Sequence, residues 1–220
     1  DPRRVRHGPT HATGESSWFR FPKLYLPSLR GNYDQKLWMG VGFACGFTAL
    51  AYEVLWTRIL VFSMSGTVYA FSMMLAIFLL GIALGSLLAV PLMRYIPDLR
   101  TLLIIIQAGI GLYLVISLYT MESLLSPPWN GYNLQVPAQT FARYFKDSAA
   151  LMLIPTLLFG MAFPILVKAA SGVSDHVGRG TGQIYVSNTL GAITGSLVAG
   201  FVLLPKLGSK KSFTLVAMVN

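Results

Sequence analysis

Charge is what this sequence has least of. Only 11% of its 220 residues are Asp, Glu, Lys or Arg, and 54% are hydrophobic, whereas a soluble domain carries about 25% charged residues. Together with a mean hydropathy of +0.61, this excludes an ordinary soluble globular domain. Thiols are nearly absent too. The single cysteine, Cys45, excludes disulfide frameworks, iron-sulfur ligation, zinc ribbons and C-x-x-C-H haem attachment, all of which need at least two thiols. The three histidines, His7, His11 and His176, all lie in polar segments, so no intramembrane imidazole is on hand for haem or chlorophyll. No Ser-His-Asp set, carboxylate dyad or metal-ligand cluster is spelled out anywhere. The expectation is no metal, no cofactor and no catalytic residue within these residues, which leaves enzymatic activity itself open.

What fills the chain is apolar runs. About 20 apolar residues cross about 30 Å of hydrocarbon, and five windows qualify: Leu37 to Leu60, Val68 to Met93, Leu102 to Met121, Ala149 to Val167 and Ile184 to Leu204. A sixth starts near Phe213 and is cut short by the end of the chain. The expected fold is therefore all-α, a polytopic helical membrane protein with five full spans plus the start of a sixth. Residues 1–36 form a basic, aromatic N-terminal segment, cytoplasmic or interfacial, and residues 37–220 the transmembrane helical module. The chain begins at Asp1 and stops at Asn220 inside an apolar run, so it is expected to be part of something longer.

Orientation follows from the cations. Of the 17 Lys and Arg, seven lie in residues 1–36, and Arg94, Arg100, Lys168 and Arg179 fall on the same side. The other side has Arg58, Arg143, Lys146, Lys206, Lys210 and Lys211. By the positive-inside rule the N-terminus is expected in the cytoplasm.

An offset of 110 residues relates the halves: Gly81-Ile-Ala-Leu-Gly85-Ser-Leu-Leu-Ala89 aligns with Gly191-Ala-Ile-Thr-Gly195-Ser-Leu-Val-Ala199. Three spans per copy makes this a three-plus-three inverted repeat, a building plan of secondary transporters. The same glycines, together with Gly42 and Gly46, also read as ordinary helix-packing positions, because small residues let membrane helices approach closely.

Glu53 is the one acid inside a span. A charge at mid-membrane costs about 2.5 to 3.5 kcal/mol on insertion scales, so its carboxylate is expected to face the bundle interior or water. Arg58 lies five residues on, about 140° round the helix, and does not pair with it on one face. Asn188, deep in the fifth span, is the candidate partner. Tyr52 and Trp56 are one turn apart, and Glu53 shares a face with Trp56. A carboxylate beside an indole suits a cationic amine such as a polyamine. The plain alternative gives Glu53 a structural hydrogen bond, with Trp56 and Arg58 as interface anchors.

In the fourth span Pro155, Gly160 and Pro164 fall within ten residues. Lost backbone donors loosen a helix there, so a broken-helix gate is one reading and ordinary membrane proline the other. Gly178-Arg-Gly-Thr-Gly182 lacks the Lys-Ser/Thr of a phosphate loop and reads as a turn capping the fifth helix. From Glu122 to Ser148 an interfacial loop with a short surface helix, Thr140 to Lys146, is expected. Trp18 to Arg30 interleaves aromatics with cations. That pattern binds single-stranded nucleic acid in some proteins, but beside a membrane span it points to anionic headgroups or a partner subunit, and no nucleic acid is expected.

Four stretches together carry a family likeness: Gly46-Phe-Thr-Ala-Leu-Ala-Tyr-Glu-Val-Leu-Trp-Thr-Arg58, Thr67-Val-Tyr-Ala-Phe-Ser72, Pro155-Thr-Leu-Leu-Phe-Gly-Met-Ala-Phe-Pro164, and Tyr185-Val-Ser-Asn-Thr-Leu-Gly191-Ala192 continuing to Gly200. From roughly Gly40 onward the chain resembles the integral-membrane spermidine synthase-like family, in which a transporter-like helical module precedes an aminopropyltransferase-type domain. The resemblance implies that aminopropyl transfer belongs to that other domain, whose Gly-rich nucleoside loop and catalytic aspartates do not occur here. Glu53, Trp56 and Arg58 carry over only as matching positions. The leading expectation is a non-catalytic module, an accessory or anchoring subunit among other membrane subunits, in a bacterial inner membrane. The alternatives are a transporter or binding module for a polyamine, and the membrane half of an aminopropyltransferase whose catalytic domain lies past residue 220.

Overall fold

The computed structural model describes residues 32–63, 68–124, 138–171 and 177–219, and apart from a short link at 96–98 all of them are helical. The helices are α1 (Asn32–Ser63), α2 (Val68–Tyr95), α3 (Leu99–Leu124), α4 (Ala138–Ser171), α5 (Val177–Val198) and α6 (Leu204–Val219), with a π-helical turn, Ala199–Leu203, joining the last two. Five helical stretches among the described residues are long and apolar enough to cross a membrane; the fifth, Gly178–Val219, takes in α5, the π turn and α6. Gly208, at φ 71° and ψ 174°, breaks α6 internally, a backbone state open to glycine because it has no Cβ. Most of the N-terminal segment, together with Pro127, Pro128, Trp129, Gly131, Tyr132 and Pro137, lies outside the described residues.

The packing is an exchange between the halves. α1 runs along α5 in the same direction: Met39 meets Ser187, whose hydroxyl donates to the Met39 carbonyl at 2.6 Å. Further along, Gly46 meets Asn188, Phe47 meets Gly195 and Val54 meets Gly200. α2 runs along α4 in the same way, with Gly81 against Thr156, Gly85 against Leu157 and Gly160 against Ile82. Shifting the Gly85–Leu157 contact by 110 residues, up on one partner and down on the other, gives the Gly195–Phe47 contact. The repeat-related helices α1 and α4 run antiparallel, since Gly42 faces Leu166 while Tyr52 meets Phe159. The pairing has the form of an inverted repeat.

Close approach explains the glycines. A methyl group added to Gly85, Gly191 or Gly195 would come to 2.8–2.9 Å of a carbonyl carbon on the facing helix, a distance no real side chain tolerates. Without a hydrophobic drive between helices in lipid, such backbone contact supplies the van der Waals cohesion. Gly42 is different: a Cβ there would lie 3.6 Å from its nearest neighbours, an ordinary contact.

Three expectations are corrected. α4 is not broken; it runs unbroken through Pro155 and Pro164, and Gly160 serves packing, since a methyl group on it would fall 2.8 Å from the Ile82 Cα. The Ser86 hydroxyl donates to the Gly160 carbonyl at 3.0 Å and fastens that approach. Thr140 to Lys146 is no separate surface helix but the first turns of α4. Gly178 to Gly182 is no turn; these residues already lie within α5, whose neighbours outweigh the weak helix preference of glycine.

Candidate functional site

Tyr52 and Trp56 sit at the centre of the bundle. Tyr52 is 0% exposed and Trp56 2%, and their rings are 5.7 Å apart. Phe213 of α6 closes on both, at 5.6 Å from Tyr52 and 6.4 Å from Trp56, and Phe159 of α4 approaches Tyr52 at 6.1 Å. Tilted aromatic pairs of this kind add about 0.5–1.5 kcal/mol beyond their burial. The indole is thus engaged by the core and turned away from any outside cation. The Tyr52 hydroxyl is buried and has no hydrogen-bond partner among the described residues.

Glu53 is half-buried on α1. Its backbone carbonyl accepts the Thr57 hydroxyl at 2.7 Å, and that hydroxyl also reaches the Met74 sulfur at 3.4 Å. Asn188 is not its partner. The Asn188 carbonyl lies against Gly46, about two helical turns below Glu53 along α1. The expected pair is separated because α1 and α5 run parallel in a register fixed by glycine contacts. The sequence placed both residues at membrane depth but contained no register between the helices.

The feature that hydropathy did not point to is an open cleft of about 780 Å³ where α1 meets the joint between α5 and α6. Val54, Thr57 and Arg58 of α1 form one wall; Gly200 of the π turn and Leu204, Pro205, Gly208 and Ser209 of α6 form the other. The π turn widens the backbone, with the Leu204 N–H donating to the Ala199 carbonyl, and such turns recur at functional sites. The signal that would have found it is the run Leu204-Pro-Lys-Leu-Gly208-Ser, in which a proline and a glycine interrupt an apolar helix. Arg58 is exposed at the rim. At the opposite end of the bundle, Arg100 lies over the Trp38 ring at 5.6 Å, and the side chains of Gln35 and Gln183 hydrogen-bond across α1 and α5.

Outside the spans, Asp98 caps α3. It accepts the Thr101 hydroxyl at 2.6 Å, the Thr101 N–H at 3.4 Å and the Arg100 N–H at 3.1 Å. The Thr101 hydroxyl first, then the backbone donors and the Arg100 charge, hold its carboxyl below the usual carboxylate range. Among the described residues no group of His, Cys, Asp or Glu is placed to hold a metal ion.

No family model matches the chain, and no solved structure does. The chain is similar to a polyamine aminopropyltransferase of Oceanobacillus iheyensis, 24% identical over 181 residues, covering 82% of this chain and 32% of that protein. It therefore spans about a third of the length of the curated relative it matches, and a spermidine synthase-like relationship is supported at that distance.

Proposed function

We propose that the chain is the membrane module of a spermidine synthase-like protein and acts as an accessory or anchoring subunit of a larger membrane assembly, in a bacterial inner membrane with its N-terminus in the cytoplasm. What supports the module part of this reading is a match of 82% of the chain to 32% of a longer polyamine aminopropyltransferase, together with five helical stretches, among the described residues, long and apolar enough to cross a membrane. A module of that kind needs a stiff bundle that holds its shape. The two glycine seams supply one, because neither can slide without driving backbone into backbone. The test is the native mass of the protein purified from its own membrane in mild detergent. Stoichiometric partner chains support the reading, and loss of them on deleting residues 1–30 locates the docking segment. A lone or self-paired chain contradicts it.

One observation favours a second reading, a binding or transport module for a polyamine. Glu53 is a half-buried carboxylate inside an apolar helix, and among the described residues no cation pairs with it. A cationic amine would supply the missing charge, without the help of Trp56, whose ring is buried. In that case Glu53→Gln abolishes polyamine binding while the protein stays folded; unchanged binding ends this reading.

A further inference from the structure

We propose that the cleft between α1 and the α5–α6 joint seats the phosphate headgroup of an anionic phospholipid, with Arg58 as its counter-charge. The depth is right. Arg58 stands two residues before the end of the apolar stretch Gln35–Leu60, where a long cationic side chain reaches the headgroup layer. The residue is exposed, and among the described residues no carboxylate pairs with it. Glu53, the nearest acid on the same helix, is about 140° round from it. A guanidinium in this setting offers the paired donors that match a phosphate.

Cations flank the α6 wall of the cleft. Lys206 and Lys211 of α6 are exposed and flank the lining residues Leu204, Pro205, Gly208 and Ser209. The helix restarts after the Gly208 break at Ser209, a lining residue, so its N-terminal end, which favours anions, lies at the cleft.

The walls distinguish a lipid from a free anion. Val54, Leu204 and Pro205 line the cleft. Next in sequence to the lining residues Gly200 and Gly208, Phe201 is 77% exposed, Val202 42% and Leu207 40%, apolar surface of the kind that acyl chains cover. A small inorganic anion makes no use of such a surface.

The test uses the full chain in mild detergent, with native mass spectrometry counting retained lipid from an equimolar supply of phosphatidylglycerol and phosphatidylcholine. The wild type is expected to keep phosphatidylglycerol preferentially. Arg58→Gln lowers that preference about fivefold, which is what one basic residue is worth at an anionic surface. Gly200→Leu keeps every charge and fills the cleft from the π turn, where a Cβ has 3.8 Å of room to Val54; it lowers the preference as well. Arg94→Gln, an exposed cation at the end of α2, leaves it intact. No preference in the wild type overturns the proposal, as does full preference in either cleft variant. Displacement of the lipid by free glycerol phosphate overturns it in favour of a soluble anion.

Discussion

At Gly85 and Gly195 an added methyl group would strike the backbone of the facing helix, whereas at Gly208 it would meet nothing within 4 Å. Both regions are built on glycine, for opposite reasons. In the seams glycine removes a side chain so that two helices can touch. At the α5–α6 joint it supplies a positive φ so that one helix can stop and restart. The first use locks the bundle and the second opens a cleft beside Arg58. A rigid frame with one irregular corner places ligand contact where the regular hydrogen-bond ladder is interrupted.

The largest effects are expected in the seams. Gly85→Leu and Gly195→Leu each force helices apart, and overpacking costs of about 3 kcal/mol or more are reached when backbone is the obstacle. Thermal melting in detergent is expected to show severe and similar losses in the two, because they occupy equivalent places in the repeat. A large loss in one and none in the other would break the equivalence of α1–α5 and α2–α4. At the joint, Gly208→Ala has space for its methyl group but not the backbone angle, and destabilises by about 1–3 kcal/mol. An unchanged melting temperature would mean that the positive φ is not held in the folded protein.

These features were unequally legible in the sequence. The spans were plain because hydropathy over a window of about 20 residues reports membrane depth directly. The seam glycines surfaced through the 110-residue offset between Gly81 and Gly191. Contact across helices was not legible. Glu53 and Asn188 both read as deep polar residues, yet only the parallel register of α1 and α5 shows that Asn188 stands beside Gly46. Trp56 was open to two readings, amine contact or interface anchor, and neither foresaw its burial because Phe213, which packs on it, comes from the far end of the chain. Pro155 and Pro164 left a break and ordinary membrane proline both open, and α4 absorbs both residues, as membrane helices do when neighbours and local adjustments satisfy the freed carbonyls. The true break, at Gly208, lay in a stretch too polar to be counted within a span.

Smaller effects sharpen the contrast between a packed centre and an open corner. Tyr52→Phe removes a buried hydroxyl that has no partner among the described residues and is expected to stabilise by about 1 kcal/mol, seen as a higher melting temperature. A drop instead would show that the hydroxyl finds a partner in the working protein. Smallest is the response to acid at the α3 cap. The Asp98 carboxyl is held below its ordinary value, chiefly by the Thr101 hydroxyl. Its contribution is therefore present above the ordinary carboxylate range and lost as pH falls through the lowered value. Asp98→Asn is expected to flatten the low end of the stability curve, and an identical acid limb in both proteins would discard the cap's role.

The pairing of α1 along α5 in parallel is the claim on which the seams, the cleft and the burial of Trp56 all depend. The most direct measurement is oxidative cross-linking in native membranes, in a Cys45→Ala background. The pair Met39→Cys with Ser187→Cys sits where the Ser187 hydroxyl reaches the Met39 backbone, close enough for a disulfide, and the control pair places the second cysteine at Ser196, about 14 Å further along α5. The account predicts a disulfide in the first pair and none in the control. Cross-linking of the control pair, or of neither, would contradict it.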